Sequence, residues 1–329
     1  MPERSRPMPE FKSAVGPVIK GFVSEKTAIG YKFMEGARSL RCFDQFLLAK
    51  GLDRCALPEQ LVREWTCQRN HESSTTHRSR FRLTRQLAIF MKNRGYDAYV
   101  PDLYLEPCAP GQPGFAPHIF THEELRRIFK SLDEMKPAYN SRLRHLVWPE
   151  LFRLLYGCGL RVGEVIRLTV ADTDLQEGVI TIRQTKFRKD RLVPLAPGLH
   201  ARLLRFYETM GRRSPESPLF HRHGRAYTHR GVYLVFRAVL RRSGIPHRGR
   251  GQGPRVHDLR HTFAVHRLQE WYREGVDLTN RLPVLATYMG HRSFYCTQRY
   301  VHLTLELSAE LSKRLEEKYG SIIPRRNDR

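Results

Sequence analysis

The stretch Val256-His257-Asp258-Leu259-Arg260-His261-Thr262-Phe263-Ala264, continued by Tyr288-Met289-Gly290-His291 and closed by Thr297-Gln298-Arg299-Tyr300, organises the reading of the whole chain. His257 and Arg260 stand three apart, so on a helix they project from one face and two donors converge. Leu259, Phe263 and Leu268 keep helical spacing, which allows one side of that helix to be buried while the other serves a site. Gly290 precedes His291 at what reads as a helix end, and Tyr300 follows nine residues later in a further short helical segment. Singly, each feature is commonplace: a His-x-x-Arg pair is usually a solvated basic face, and a lone Tyr is usually a packed aromatic. Their order and spacing, joined to residues upstream, carry the weight.

A chain of 329 residues is long enough for two domains and a sizeable buried core. Its 57 Lys and Arg against 33 Asp and Glu leave a formal net charge of +24, which favours a polyanionic partner. Nucleic acid comes first, because each neutralised phosphate releases a counterion. A membrane surface is the runner-up, weakened by the lack of any run of about 18 apolar residues. The start, Met1-Pro2-Glu3-Arg4-Ser5-Arg6-Pro7, has no apolar segment of the secretory kind, so a cytoplasmic location is expected. Cys42, Cys55, Cys67, Cys108, Cys158 and Cys296 are scattered without a Cys-x-x-Cys pair. Free thiols fit that pattern better than a disulfide framework or a structural zinc site.

Composition and periodicity divide the chain. Residues 1–20, rich in Pro and charge, read as a loose arm. Residues 21–100 read as an all-helical domain. One helix is expected from Tyr31 to Lys50 with Met34, Ala37, Leu40, Phe43 and Leu47 on one face and Gly51 as its cap. A second starts near Pro58 with Leu61 and Trp65 inward, and a third runs from about Ser79 to Arg94 with Leu83, Leu87, Phe90 and Met91 inward. Arg78, Arg80, Arg82 and Arg85 near the start of the third admit two readings, a solvated charged face or a grip on DNA phosphates. Residues 101–117 have linker composition, with Pro101, Pro107, Pro110, Pro113 and Pro117 among them. Thr121-His122-Glu123-Glu124 then matches a capping box that opens a second domain, 118–310, followed by a tail, 311–329.

Within that domain, Leu151 to Glu164 reads as an apolar helix, a turn punctuated by Gly157 and Gly159, and a second helix, with Arg161 at the mouth of the turn. Arg161 could simply pair with Glu164 one turn away, for about 0.2–0.5 kcal/mol. Val179-Ile180-Thr181-Ile182 and Arg191-Leu192-Val193-Pro194-Leu195 read as two short strands, with Lys186-Phe187-Arg188-Lys189-Asp190 as the hairpin turn. Helical patterns recur from Leu199 to Met210 and from Thr228 to Ser243. The expected fold is therefore mainly α with a small antiparallel β-sheet, an α+β domain behind an all-α one.

The run Gly-x-Gly-Leu-Arg-x-Gly-Glu around Arg161, the basic hairpin, the His257-x-x-Arg260 pair, Gly290-His291 and Tyr300 together resemble the tyrosine recombinases, the phage integrase family. The resemblance covers roughly residues 118–310 and fills six functional positions in order: Arg161, Lys186, His257, Arg260, His291 and Tyr300. It implies that Arg161 binds the scissile phosphate with Glu164 in support, that a hairpin lysine is the general acid, and that Tyr300 is the nucleophile. Lys186 is the better match for the acid and Lys189 the alternative. Tyr295 offers a second phenol, but the family's nucleophile stands where Tyr300 does.

The residue types suit that chemistry. Breaking a phosphodiester without metal needs a nucleophile, cations on the nonbridging oxygens and a proton for the departing 5′ oxygen. Fork-shaped, permanently charged Arg161 and Arg260 match the second need, while His257, His291 and Lys186 can donate or carry protons. No carboxylate cluster of the magnesium-binding kind is evident, so neither metal nor cofactor is expected. What the resemblance implies is a site-specific recombinase, forming a 3′-phosphotyrosyl intermediate on double-stranded DNA, as a homotetramer on two duplexes, with accessory recombination proteins as further partners. Integration, excision or transposition of a mobile element is the expected setting. The rivals are a type IB topoisomerase-like enzyme and a catalytically inactive DNA-binding accessory protein. Leu303 to Tyr319 reads as a helix that either packs on its own domain or docks on a neighbouring protomer.

Overall fold

The computed structural model describes residues 10–30, 33–70, 72–103, 117–139, 141–183, 190–247, 249, 253–290, 297 and 300. The chain divides into two compact units, Met1–Phe115 and Ala116–Arg329, with the division inside the Pro- and Gly-rich stretch. Lys186, Lys189, His291, Tyr295 and the 303–319 segment lie outside the described residues.

The first unit is helical: α1 (Gly16–Ala28), α2 (Met34–Ala49), α3 (Glu59–Thr66) and α4 (Ser74–Lys92). Ala37, Leu40, Phe43 and Leu47 of α2 are buried as their spacing predicts, and Gly51 takes a left-handed φ of 68° just beyond the helix. Trp65 of α3 packs between Phe43 and Phe46, with ring centroids 5.0 and 5.2 Å away. Of the stretch 1–20 expected to be a loose arm, residues 16–20 are instead helical, because α1 begins at Gly16 and buries Val18, Ile19, Phe22 and Val23. Pro17 sits in the first turn, where a missing N–H costs nothing, so a residue read as a sign of disorder is a helix starter. The buried carboxylate of Asp44 fixes the lead-in by accepting from the backbone N–H of Lys12 and Ser13 and from the Ser13 hydroxyl. Likewise α4 starts five residues earlier than its apolar pattern suggested, at Ser74, where the Ser73 hydroxyl accepts from the Thr76 N–H.

The four arginines of α4 do not form one grip. Arg80 is buried and donates to Glu72 and to the Cys67 carbonyl, and Arg85 donates to the Pro101 carbonyl. Helical spacing turns Arg80 toward the same side as Thr84 and Leu87, which are both buried, whereas Arg82 points out.

The second unit opens with α5 (His122–Asp133), whose capping box is formed as expected: Thr121 Oγ accepts from Glu124 N–H and the Glu124 carboxylate from Thr121 N–H. Then come α6 (Arg144–Gly157), α7 (Val162–Val165), a 3-10 turn (Val170–Asp172), β1 (Thr173–Asp174), β2 (Val179–Ile182), β3 (Arg191–Pro194) and α8 (Pro197–Met210). A small hairpin of β4 (His221–Arg222) and β5 (Arg225–Ala226) precedes α9 (His229–Arg242), α10 (Asp258–Arg273) and α11 (Leu278–Met289). The first three strands form an antiparallel sheet in the order β1-β2-β3, with Ile180 opposite Val193. Ile180 and Ile182 alternate inward along β2 and join Phe152 and Leu155 of α6, Ile128 of α5 and Phe236 of α9 in the main core. A smaller core gathers Phe263, Ala264, Val265 and Leu268 of α10 with Leu282, Leu285 and Met289 of α11 and with Tyr300.

Helix α10 touches both cores, giving Leu259 to the first and Phe263 onward to the second. For that reason its first turn is more enclosed than a one-sided amphipathic helix, and Asp258, Arg260 and Thr262 are all buried. The Thr262 hydroxyl donates to the Asp258 carbonyl and accepts from Phe120 N–H, tying the entry of the unit to this helix. Among the described residues, no helix is long and apolar enough to cross a membrane.

Candidate active site

The C-terminal end of α11 is the point on which three arginines meet. A helix leaves its last carbonyls without intrahelical partners and carries partial negative charge there, so it accepts cations. Here the Tyr288 carbonyl accepts from Arg191 Nε at 2.9 Å, the Met289 carbonyl from Arg260 Nη2 at 2.6 Å and the Gly290 carbonyl from Arg161 Nη2 at 2.9 Å. Gly290 ends the helix at φ 66°, a conformation that favours glycine, and a Cβ there would lie 2.9 Å from Arg191 Nη1 and push that guanidinium aside.

Each arginine comes from a different element. Arg161 caps α7 after the turn of Gly157 and Gly159, and Gly159 takes φ 57° with the Phe263 ring where a side chain would go. The same turn aims the Gly159 carbonyl at Arg260 Nη1, 2.6 Å away. Arg191 opens β3 and grips Glu164 with both terminal nitrogens, at 3.0 and 2.9 Å. Glu164 in turn accepts from Arg161 Nη1 at 2.7 Å and from its backbone N–H at 2.9 Å. Burial alone would raise the Glu164 carboxyl, but the paired Arg191 and the nearby Arg161 overcome it and hold the group at about 2. One carboxylate therefore locks two guanidiniums.

Arg260 is different. It is 1% exposed, and among the described residues no carboxylate lies within 4.0 Å of it. Burial, and then repulsion from Arg161, pull its guanidinium down to about 10, still charged at neutral pH. Arg161 remains about one-third exposed, so the pair presents a cationic surface backed by a buried positive charge. Such a pair fits a tetrahedral anion, because each guanidinium offers a planar fork of donors.

His257 stands at the start of α10 with its ring exposed, although enough protein crowds it to cost hydration. That loss, followed by the positive charges of Arg260 and Arg255, pushes its imidazole down to about 4 and keeps it neutral near pH 7. One turn on, the His261 ring meets it edge-on at 4.8 Å, and its Nδ1 lies within hydrogen-bond distance of the Tyr300 hydroxyl, at 2.9 Å. Tyr300 is 3% exposed, its ring set in the smaller core.

Of the six residues expected to act, the structure thus gathers Arg161, His257, Arg260 and Tyr300 in one place. Lys186 and His291 lie outside the described residues, although β2 and β3 flank the first and Gly290 precedes the second. Two neighbours were not singled out beforehand. His261 had a legible signal, since it stands four residues after His257 and therefore shares its helical face. Arg191 had none, because its partner Glu164 is 27 residues away and only the folded sheet brings them together. Among the described residues no three His, Cys, Asp or Glu side chains converge as metal ligands.

With that geometry in hand, comparison with known proteins is informative. Residues 118–306 match the model of the phage integrase family. A Sinorhizobium fredii protein described as an integrase/recombinase, y4rB, is 32% identical over 309 residues, covering 92% of this chain and 96% of that one. The tyrosine recombinase XerC of Oceanobacillus iheyensis is 29% identical over 318 residues, covering 92% and 93%. Among solved structures, the Tn1549 transposon integrase in complex with a circular intermediate DNA superposes with a TM-score of 0.64 at 16% identity, covering 92% of this chain and 99% of that one. The XerH site-specific recombinase bound to its palindromic difH substrate gives 0.61 at 19% identity, covering 87% and 80%. At these identities the two structures speak for the fold.

Proposed function

The chain belongs to the phage integrase family of tyrosine-type DNA recombinases, and on that premise we propose that it cuts and rejoins DNA at a specific site through a 3′-phosphotyrosyl intermediate on Tyr300. The observation that carries the reading is Arg260, a buried cation with no carboxylate partner among the described residues, set beside Arg161 and next in sequence to His261, which contacts Tyr300. A phosphodiester supplies the missing negative charge. Arg161 and Arg260 hold its nonbridging oxygens and stabilise the charge that builds up as phosphorus becomes five-coordinate. Neutral His257 donates to the same oxygens, as does His291. Lys186 protonates the departing 5′ oxygen. The phosphotyrosyl ester conserves the energy of the broken bond, so a second 5′-hydroxyl closes the strand without ATP.

The partner on this reading is double-stranded DNA carrying a recombination site, engaged by a homotetramer on two duplexes, with accessory recombination proteins as further partners. The setting is integration, excision or transposition of a mobile element, in keeping with relatives described as integrases and a transposon integrase as a structural neighbour. A duplex with a nick near the crossover point tests the chemistry, because the short cleaved piece diffuses away and traps the protein on DNA. The wild type and Tyr295→Phe should migrate as a DNA adduct and Tyr300→Phe should not. Binding without any adduct would instead make the protein an accessory factor, and relaxation of supercoiled DNA at random sites would make it a topoisomerase.

A further inference from the structure

We propose that His261 is the general base of the reaction, taking the phenol proton of Tyr300 as the oxygen attacks phosphorus. This rests on Tyr300 being the nucleophile, as read above. A phenol titrates near 10, so at neutral pH its proton must leave as the new bond forms. Tyr300 is buried in the smaller core with Phe263, Val265, Leu268 and Leu285, and its hydroxyl lies 2.9 Å from His261 Nδ1. That is hydrogen-bond reach for proton transfer. For Nδ1 to accept, the ring proton must sit on Nε2, which is the neutral tautomer ready for the task.

His257 is the poorer base. It is held neutral by crowding and by Arg260 and Arg255, with a pKa of about 4, and its ring meets His261 edge-on rather than the phenol. The two histidines therefore divide the work along one helical face, His257 toward the phosphate and His261 toward the nucleophile. Charged and titratable groups of the same site come from every side: Arg260 and Asp258 on α10, Arg161 and Glu164 at α7, Arg191 on β3, Arg255 before α10, and Tyr300 itself.

The step balances. As the Tyr300 oxygen bonds to phosphorus, its proton passes to His261 Nδ1; the bond from phosphorus to the 5′ oxygen breaks, and that oxygen takes a proton from Lys186. In rejoining, the incoming 5′-hydroxyl gives its proton to the lysine, the bond from phosphorus to Tyr300 breaks, and imidazolium His261 returns its proton to the phenol oxygen.

Single-turnover adduct formation by the full chain on the nicked duplex, followed from pH 5 to 9, tests this. In His261→Asn the amide oxygen falls near the place of Nδ1 and keeps the hydrogen bond but cannot carry the proton. Adduct formation should slow about 100-fold or more, with DNA affinity within about twofold, and the acid limb of the pH profile should disappear. A His261→Asn enzyme with wild-type rate and profile overturns the proposal and leaves His261 as a positioning residue. If that variant folds poorly, the wild type decides alone on a substrate whose leaving 5′ oxygen is replaced by sulfur, which departs without a proton. The acid limb should persist there, and a flat profile sinks the idea. Adduct formation by Tyr300→Phe would show that the nucleophile, not the base, was misassigned.

Discussion

Two arginines are buried in this protein to nearly equal depth and to opposite ends. Arg80 of α4 is 5% exposed and Arg260 of α10 is 1% exposed. Arg80 meets the Glu72 carboxylate through two nitrogens, at 3.0 and 2.6 Å, donates to the Cys67 carbonyl and lies over the Trp65 ring. The pairing holds the Glu72 carboxyl below the usual carboxylate range. Among the described residues, Arg260 donates to the carbonyls of Gly159 and Met289, and burial depresses its guanidinium. Carbonyl dipoles solvate a cation without cancelling its charge. The cost of taking an ion out of water, several kcal/mol even after relaxation, is offset in the first unit and left standing in the second. On the proposed function, what separates the structural Arg80 from the phosphate-binding Arg260 is what neutralises each of them.

One substitution made at both places puts the comparison at risk. Arg80→Met strands the Glu72 carboxylate in a buried site and should cost about 3–5 kcal/mol of stability in urea unfolding. Adding Glu72→Gln should recover most of the loss, and adduct formation per folded molecule should not change. If Arg80→Met instead stayed stable and bound DNA more weakly, Arg80 would be a phosphate contact and the contrast would fail.

Arg260→Met should do the reverse. Losing a donor aimed at developing charge typically costs 10² to 10³ in rate, about 2.7–4 kcal/mol, so adduct formation should fall by that much. Stability should hold or rise, because removing an uncompensated buried charge offsets the two carbonyls left without a donor. Unfolding as costly as that of Arg80→Met would show that Arg260 is held for stability after all.

The same contrast explains what was legible in the sequence. Spacing along one helix is local, and it revealed α2, α9 and the capping box of α5 as well as the neighbourhood of His257 and Arg260. It also offered Arg80 as one of four exposed-looking arginines, because a run of Arg at positions 78, 80, 82 and 85 does not say which of them turns inward to Trp65. Pro17 misled for a related reason, since a proline that starts a helix and one that belongs to a loose arm look alike until Asp44 pins the chain before it. The candidate site was visible as a list of residue types. Its frame, the end of α11 shared by Arg161, Arg191 and Arg260, was not, because it depends on carbonyls, and every residue has one.

A smaller effect should separate the two units in acid. The His266 ring stacks on His122 at 4.4 Å and shares a hydrogen bond of 3.0 Å between its Nδ1 and the Tyr156 hydroxyl. Burial, and then the neighbouring His122, push it down to about 4 from an ordinary value near 6.5. Between those values the unfolded chain binds more protons than the folded one, so stability rises with pH across about 4 to 6.5 and is lost as pH falls through that window. Unscreened linkage would give roughly 2 kcal/mol or somewhat more, and solvent screening at a half-buried ring reduces the His266 share to on the order of 1 kcal/mol. That share is read as the part of the difference in urea unfolding of the second unit between pH 7 and pH 4.5 that His266→Phe removes, with His257, also pushed down to about 4, contributing to the rest. In the first unit the corresponding weakness is Glu72, whose depressed carboxyl gives stability that persists until pH drops below the ordinary carboxylate range. The unit that leaves charge uncompensated should thus yield first on acidification, and a first unit that softened at the higher pH would break the contrast at its most sensitive point.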